Sequence, residues 1–230
     1  MSLFLKKFDN HTEYEEARQN LILPNVSLCE QENEVHYNPY VDPYNGHAYV
    51  DLGLPSGTKW ATMNVGASSE TDYGNYYQYG KGAAQYAATS GDSNYSGTED
   101  PLAASADTAV QVWGGSWHMP TMAQMEELTA NTTYEWVTNY KGSTKNGCTF
   151  TATNGAVLFL PAAGYLFNGS KVNLGSYGGY WGSSPDASYY GGNAYYLYFG
   201  NSYKYVSDSL LEYGYLVRPV VGWMNSSSNQ

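Results

Sequence analysis

Charge is what this chain has least of. Only 13% of its 230 residues are Asp, Glu, Lys or Arg, about half the usual share. The basic residues number 10 against 21 acids, for a net charge of −11. Neutralising nucleic-acid phosphates takes clustered Lys and Arg, so a nucleic-acid partner is excluded, and an anionic membrane surface with it. No stretch approaches the roughly 20 apolar residues of a membrane span, so no membrane insertion is expected. Cysteine is nearly absent as well. Cys29 and Cys148 make neither a disulfide framework nor, without CxxC or HExxH patterns, a zinc site. The four histidines, His11, His36, His47 and His118, are scattered. No nucleophile–base pair or metal constellation can be assembled from these residues, so the expectation is a protein that is not an enzyme and needs no cofactor.

Tyrosine and glycine are abundant, at 25 residues each. Between Tyr177 and Tyr215, 39 residues hold 11 of the 25 tyrosines, interleaved mostly with Gly, Ser, Asn and Asp. This is paratope chemistry: tyrosine supplies broad amphipathic contact area at low entropic cost, and Ser, Gly and Asn supply adaptable hydrogen bonds. The C-terminal third is therefore the expected recognition face. Tyrosine-rich strands also occur simply as amphipathic sheet surface, because aromatics favour strands.

The chain divides into three by composition. Residues 1–45 read as an appendage and linker. Seven acids and three bases fall within residues 1–34, and Thr12 with Glu15 has capping-box spacing for a short helix from about Glu13 to Asn20. The stretch His36–Gly46, rich in Pro, Tyr and Asn, favours extended and turn conformations. Residues 46–224 read as one unit and residues 225–230 as a disordered tail. Within the unit, Tyr49–Leu52 has a strand pattern and Ala83–Asp107 the polarity of a surface loop. Pro120 precedes a helix from Thr121 to about Asn131, with Met125 and Leu128 on its buried face. Strands are expected around Thr149–Thr153 and Ala156–Pro161. Mixed helix and strand without a βαβ rhythm predicts an α+β fold with antiparallel strands, one or two short helices and long loops.

Five aromatic and glycine-rich motifs punctuate this unit: Val50–Gly57 (VDLGLPSG), Trp113–Thr121 (WGGSWHMPT), Leu160–Tyr165 (LPAAGY), Tyr180–Ser184 (YWGSS) and Val217–Val220 (VRPV). Physically they are large aromatics beside glycines that permit tight turns and close backbone approach. In this order they resemble the major paralogous domain of Bacteroidetes and Fibrobacter within the C-type-lectin-like superfold, over about residues 48–221. That group includes variable proteins diversified by retroelements. The resemblance implies a C-type-lectin-like fold whose C-terminal strands and loops carry variable side chains. In that family the retroelement rewrites template adenines. An AAC codon altered there yields Asn, Tyr, Ser, Asp or Gly but not Lys, Glu, Gln, Trp or Met. Across Asp186–Tyr215 only Lys204 and Glu212 fall in the excluded set, so these two are expected at fixed positions or from another template codon.

Alternation separates scaffold from surface in the tract. Apolar Leu197 and Phe199 mark one face of a strand as core and take Tyr195 with them, so Tyr196 and Tyr198 are expected to point outward. Gly214, Val217 and Pro219 read as scaffold, and Arg218 as a buried hydrogen-bonding anchor. The expected ligand-binding residues are Asp186, Ser188, Tyr189, Tyr190, Tyr196, Tyr198, Asn201, Tyr203, Tyr205, Ser207, Asp208 and Tyr215, forming one contiguous, solvent-exposed surface.

Rival readings within the same superfold fit less well. Formylglycine-generating enzymes depend on cysteine and copper chemistry near the C-terminus, whereas Cys148 lies well before that region. Calcium-dependent sugar binding needs an acidic-Pro-Asn or Gln-Pro-Asp loop, and the chain offers only Ser184-Pro185-Asp186. No calcium requirement is expected. Pro24–Ser27 and Asn33–Pro39 resemble N-terminal modules of gut-phage structural proteins, which implies particle or tail attachment through residues 1–40. The N-terminal residues show no signal-peptide apolar core before the first acidic cluster. Together these give a virion or extracellular cell-surface location and, as partner, a protein or glycan receptor on a cell surface. A static lectin-like bacterial adhesin is the alternative.

Overall fold

The computed structural model describes residues 45–82, 95–186 and 192–222. The chain divides into two units, Met1–Glu34 and Val35–Gln230, and every described residue belongs to the second. The expected attachment module, all of the linker but Asn45 and Gly46, and the C-terminal tail lie outside the described residues, as does Cys29.

Two short strands, β1 (Tyr49–Val50) and β2 (Lys59–Ala61), open the domain. Helix α1 (Thr108–Trp113) follows, then α2 (Met122–Asn131) and the hairpin partners β3 (Thr132–Val137), β4 (Gly147–Ala152) and β5 (Val157–Pro161). A small ribbon of β6 (Tyr165–Phe167) and β7 (Ser170–Val172) leads to the long strands β8 (Gly178–Asp186), β9 (Asn193–Phe199) and β10 (Lys204–Leu210), and β11 (Val220–Val221) ends the domain. The strands form open antiparallel sheets in the orders β1-β2-β11, β3-β4-β5, β10-β9-β8 and β6-β7. Among the described residues this is an α+β architecture with two α-helices, mostly antiparallel. The first and last segments meet, Val220 opposite Trp60 and Val221 opposite Lys59.

Local chemistry sets the helix ends. Thr121 caps α2 in a reciprocal box, its hydroxyl accepting from the Gln124 amide while the Gln124 side chain accepts from the Thr121 N–H. Such a box satisfies two of the donors a helix start leaves orphaned. Met125 and Leu128 turn inward, as their spacing predicts. Helix α1 was not expected, and part of the stretch read as a surface loop is interior: Leu102 and Asp107 are buried. Asp107 is the N-cap of α1 and also accepts from the Met119 amide. The strand expected over Tyr49–Leu52 stops at Val50.

Two cores flank the sheet of β8, β9 and β10. One gathers Trp60, Met125, Leu128, Phe150, Leu160, Tyr180, Leu197 and Phe199. The other gathers Tyr77, Tyr79, Trp113, Trp117, Trp181, Tyr196, Tyr215 and Val217. Successive residues divide between them: Tyr180 to the first and Trp181 to the second, Leu197 to the first and Tyr196 to the second. That is the two-residue period of a strand with both faces covered. Arg218 is the anchor expected of it, wholly buried, its Nε donating to Asn64 Oδ1 at 2.7 Å and a terminal nitrogen to the Ala61 carbonyl at 3.0 Å. Gly214, Val217 and Pro219 are buried scaffold.

Candidate binding surface

The site is built on the β9–β10 hairpin. Its register places Tyr198 opposite Tyr205, Tyr196 opposite Ser207 and Ala194 opposite Ser209, and on the other flank Trp181 lies opposite Tyr196 and Gly179 opposite Tyr198. These residues share one face. It carries no charged side chain, because Lys204, Val206 and Asp208 alternate to the other.

On this face the rings form a ladder. Trp181 meets Tyr215 edge-on with centroids 4.8 Å apart, and Tyr215 stacks on Tyr196 at 4.8 Å. Tyr196 stacks on Tyr198 at 5.1 Å, and Tyr198 contacts Tyr205 at 5.6 Å and Tyr203 at 5.9 Å. Exposure rises along it: Tyr215 is 3% exposed, Tyr196 9%, Tyr203 37% and Tyr205 58%, with Tyr198 half-buried. Glycine makes room at the buried end, since a Cβ on Gly179 would sit 2.4 Å from the Tyr215 ring. The phenols at that end bond to one another, Tyr177 donating to the Tyr196 hydroxyl at 3.1 Å and Tyr215 and Ser209 sharing a bond at 3.1 Å. Burial pushes the Tyr177, Tyr196 and Tyr215 phenols upward, so they stay protonated as this network requires.

The exposed end is fixed from below. The Tyr134 hydroxyl donates to the Gly200 carbonyl and also reaches the Tyr203 carbonyl at 3.2 Å. The Lys204 ammonium donates to the Thr129 carbonyl at 2.9 Å and lies over the Tyr134 and Phe150 rings. The turn Asn201-Ser202, exposed throughout, is thus fastened at both ends to β3 and α2. Rigid presentation of this kind lowers the entropic cost of binding.

The expected residues do not all meet here. Tyr198, Asn201, Tyr203, Tyr205 and Ser207 do. Tyr196 and Tyr215 lie on the same face but are buried, a correction to the expected exposure: the face that alternation made outward is covered by the second core, with Trp181 against both rings. Asp186, expected on the surface, is 6% exposed at the C-terminal end of β8, opposite Asn193. Asp208 turns to the opposite face, where it accepts from the Asn193 side chain at 2.5 Å. Ser188, Tyr189 and Tyr190 lie outside the described residues. The sequence reading passed over Ser202 in the turn, although its position between Asn201 and Tyr203 marks it. It also passed over Tyr165, Tyr177 and Tyr213, which flank Tyr215 as a second row of rings. Tyr177 and Tyr213 carry the signal of the tyrosine tract, whereas nothing local marks Tyr165.

Away from this surface, His118 is buried with its Nδ1 2.9 Å from the Met119 carbonyl. Burial pushes the Cys148 thiol up to about 12, where it is inert as a nucleophile. Among the described residues no cluster of three or more His, Cys, Asp and Glu is arranged to hold a metal ion, and no helix is long and apolar enough to cross a membrane. No family model, curated protein or solved structure matches the chain, so the surface is read from its own geometry.

Proposed function

We propose that this chain is a binding protein that recognises a protein or glycan receptor on a cell surface through the β9–β10 hairpin. The carrying observation is the graded tyrosine ladder: buried rings at Tyr196 and Tyr215 hold half-buried Tyr198, which holds exposed Tyr203 and Tyr205 beside Asn201 and Ser202. A scaffold that grades into an uncharged aromatic and hydroxyl tip suits recognition, and interface hot spots are rich in tyrosine. No catalytic residue is assigned.

The protein is read as a retroelement-diversified member of the C-type-lectin-like superfold, acting in phage or cell-surface attachment. The fate of Lys204 supports this. It is one of two tract residues that the AAC substitution scheme cannot produce, and it is tied to Thr129 beneath the sheet rather than displayed. Asn201, Ser202, Tyr203 and Tyr205, all reachable by that scheme, are exposed.

Two experiments test the reading. Purified protein is applied to glycan arrays and intact bacterial cells: a Tyr203→Ser/Tyr205→Ser variant should lose retention while melting as the parent does, and unchanged retention would overturn the site. Neighbouring DNA should carry a reverse transcriptase and an adenine-rich copy of the codons for residues 180–220. Finding neither removes diversification and favours a static adhesin.

A further inference from the structure

Strand β10 is an edge. Among the described residues it pairs with β9 alone, in an unbroken register from Lys204 opposite Phe199 to Leu210 opposite Asn193. At one end of this ladder the Gly200 amide donates to the Tyr203 carbonyl, and at the other the Leu211 amide donates to the Gly192 carbonyl. Both bonds fall on the same parity. Antiparallel ladders alternate hydrogen-bonded and non-bonded pairs, so Tyr205, Ser207 and Ser209 spend their backbone groups on β9. The N–H and C=O groups of Lys204, Val206 and Asp208 point away from the sheet, and none of them bonds to the backbone of another described residue. Lys204, Val206 and Asp208 are all partly accessible, and Tyr205 and Leu210 are exposed.

A regular edge without a bulge or proline is a template for another strand. Proteins often blunt such edges with charge, but these two charges are self-complementary. If β10 meets a second β10 antiparallel about Val206, then Lys204 lies opposite Asp208 of the other copy, and the reverse pair repeats it. The Lys204 ammonium keeps donors beyond its bond to Thr129, and the bond from Asn193 to Asp208 uses Oδ2 alone. The same register brings the free groups of Val206 opposite each other and those of Lys204 opposite those of Asp208, so the backbone parity agrees with the charges. Shifting the axis by one residue keeps the hydrogen bonds but sets Lys204 against Val206 or Leu210, with no opposite charge across the strand.

We propose that β10 is a self-association edge and that the protein forms a two-fold dimer through β10–β10 pairing centred on Val206. The contact is isologous and closes on itself. It joins two three-stranded sheets into one of six strands, with Tyr205 opposite Ser207 of the second copy and both tyrosine ladders on one side. The surface is then bivalent, and avidity follows without new contacts to the ligand. This pairing does not depend on what the tyrosines bind.

Sedimentation velocity on the full chain over a wide concentration range tests it. The parent should shift from the 25.3 kDa monomer toward twice that mass. Val206→Pro removes an outward-pointing N–H at an edge where proline is tolerated and trims a side chain packed against the first core. It should therefore melt somewhat lower than the parent and, while folded, dimerise about tenfold or more weakly. Lys204→Asp and Asp208→Lys should each be monomeric alone, because like charges then face each other twice, and should form a heterodimer when mixed. A parent that is monomeric throughout overturns the proposal, as does a Val206→Pro variant that associates as well as the parent. If either charge variant fails to fold, Val206→Pro decides.

Discussion

Tyr196 separates scaffold from display most sharply, and replacing it by serine has a cost that can be worked out. Its ring is 9% exposed and packs against Trp181, Tyr198 and Tyr215. Truncating a buried aromatic costs about 3–5 kcal/mol in lost transfer and cavity. The Tyr177 hydroxyl, which donates to Tyr196 at 3.1 Å, loses its acceptor, adding about 1 kcal/mol. A total of about 4–6 kcal/mol should lower Tm by roughly 8–24 °C at about 2–4 °C per kcal/mol for a domain of this size. Tyr196→Phe keeps the ring and should cost only the hydrogen bond, about 1 kcal/mol. Tyr205→Ser, at the exposed end of the same ladder, should stay within about 0.5–1 kcal/mol, the cross-strand contact with Tyr198 setting the upper figure. Urea titration with fluorescence and circular dichroism read together gives all three values and checks two-state behaviour. Tyr196→Ser costing less than about 1 kcal/mol, or Tyr205→Ser costing as much as Tyr196→Ser, would refute the grading.

Asp107→Asn should destabilise by about 1–3 kcal/mol, because the amide that replaces Oδ2 faces the Met119 N–H as a second donor, and Asp107→Ala should cost more, both read by urea titration. His47, stacked 3.6 Å from Trp113, has its pKa lowered from 6.5 by burial. Between that lowered value and 6.5 the unfolded chain binds more protons, so stability should rise with pH there and fall as pH drops through the folded value; Tm against pH should show the slope, and His47→Phe should flatten it. With Cys29 replaced by serine, Cys148 should resist iodoacetamide at pH 8 until urea unfolds the chain; rapid labelling of folded protein would contradict its burial.

What was legible in the sequence depended on local signals. Helix α2 was visible because Pro120 and the spacing of Met125 and Leu128 lie within one helix length. Leu197 and Phe199 marked the core face of β9 for the same reason, and Arg218 stood out as a lone cation among scaffold residues. The opposite face of β9 was misread because its cover comes from Trp181, Tyr215, Tyr77 and Tyr79, which are near only after folding. Helix α1 has six residues, too few for periodicity, and its cap Asp107 looks in sequence like any polar loop residue. Asp208 was assigned to the tyrosine face although it alternates away from it. That parity is fixed only once Asn201-Ser202 is known to be the turn.

The account rests on the exposed end of the ladder being the recognition surface. Saturation mutagenesis of residues 193–217, read once for folding and once for retention on the bound glycan or cell type, tests this most directly. Positions that tolerate substitution in folding yet abolish retention should coincide with Asn201, Ser202, Tyr203, Tyr205 and Ser207, while Tyr196, Leu197, Phe199 and Tyr215 should fail the folding read. Retention that survives every change at the first group, or is lost only through positions elsewhere, would contradict the account.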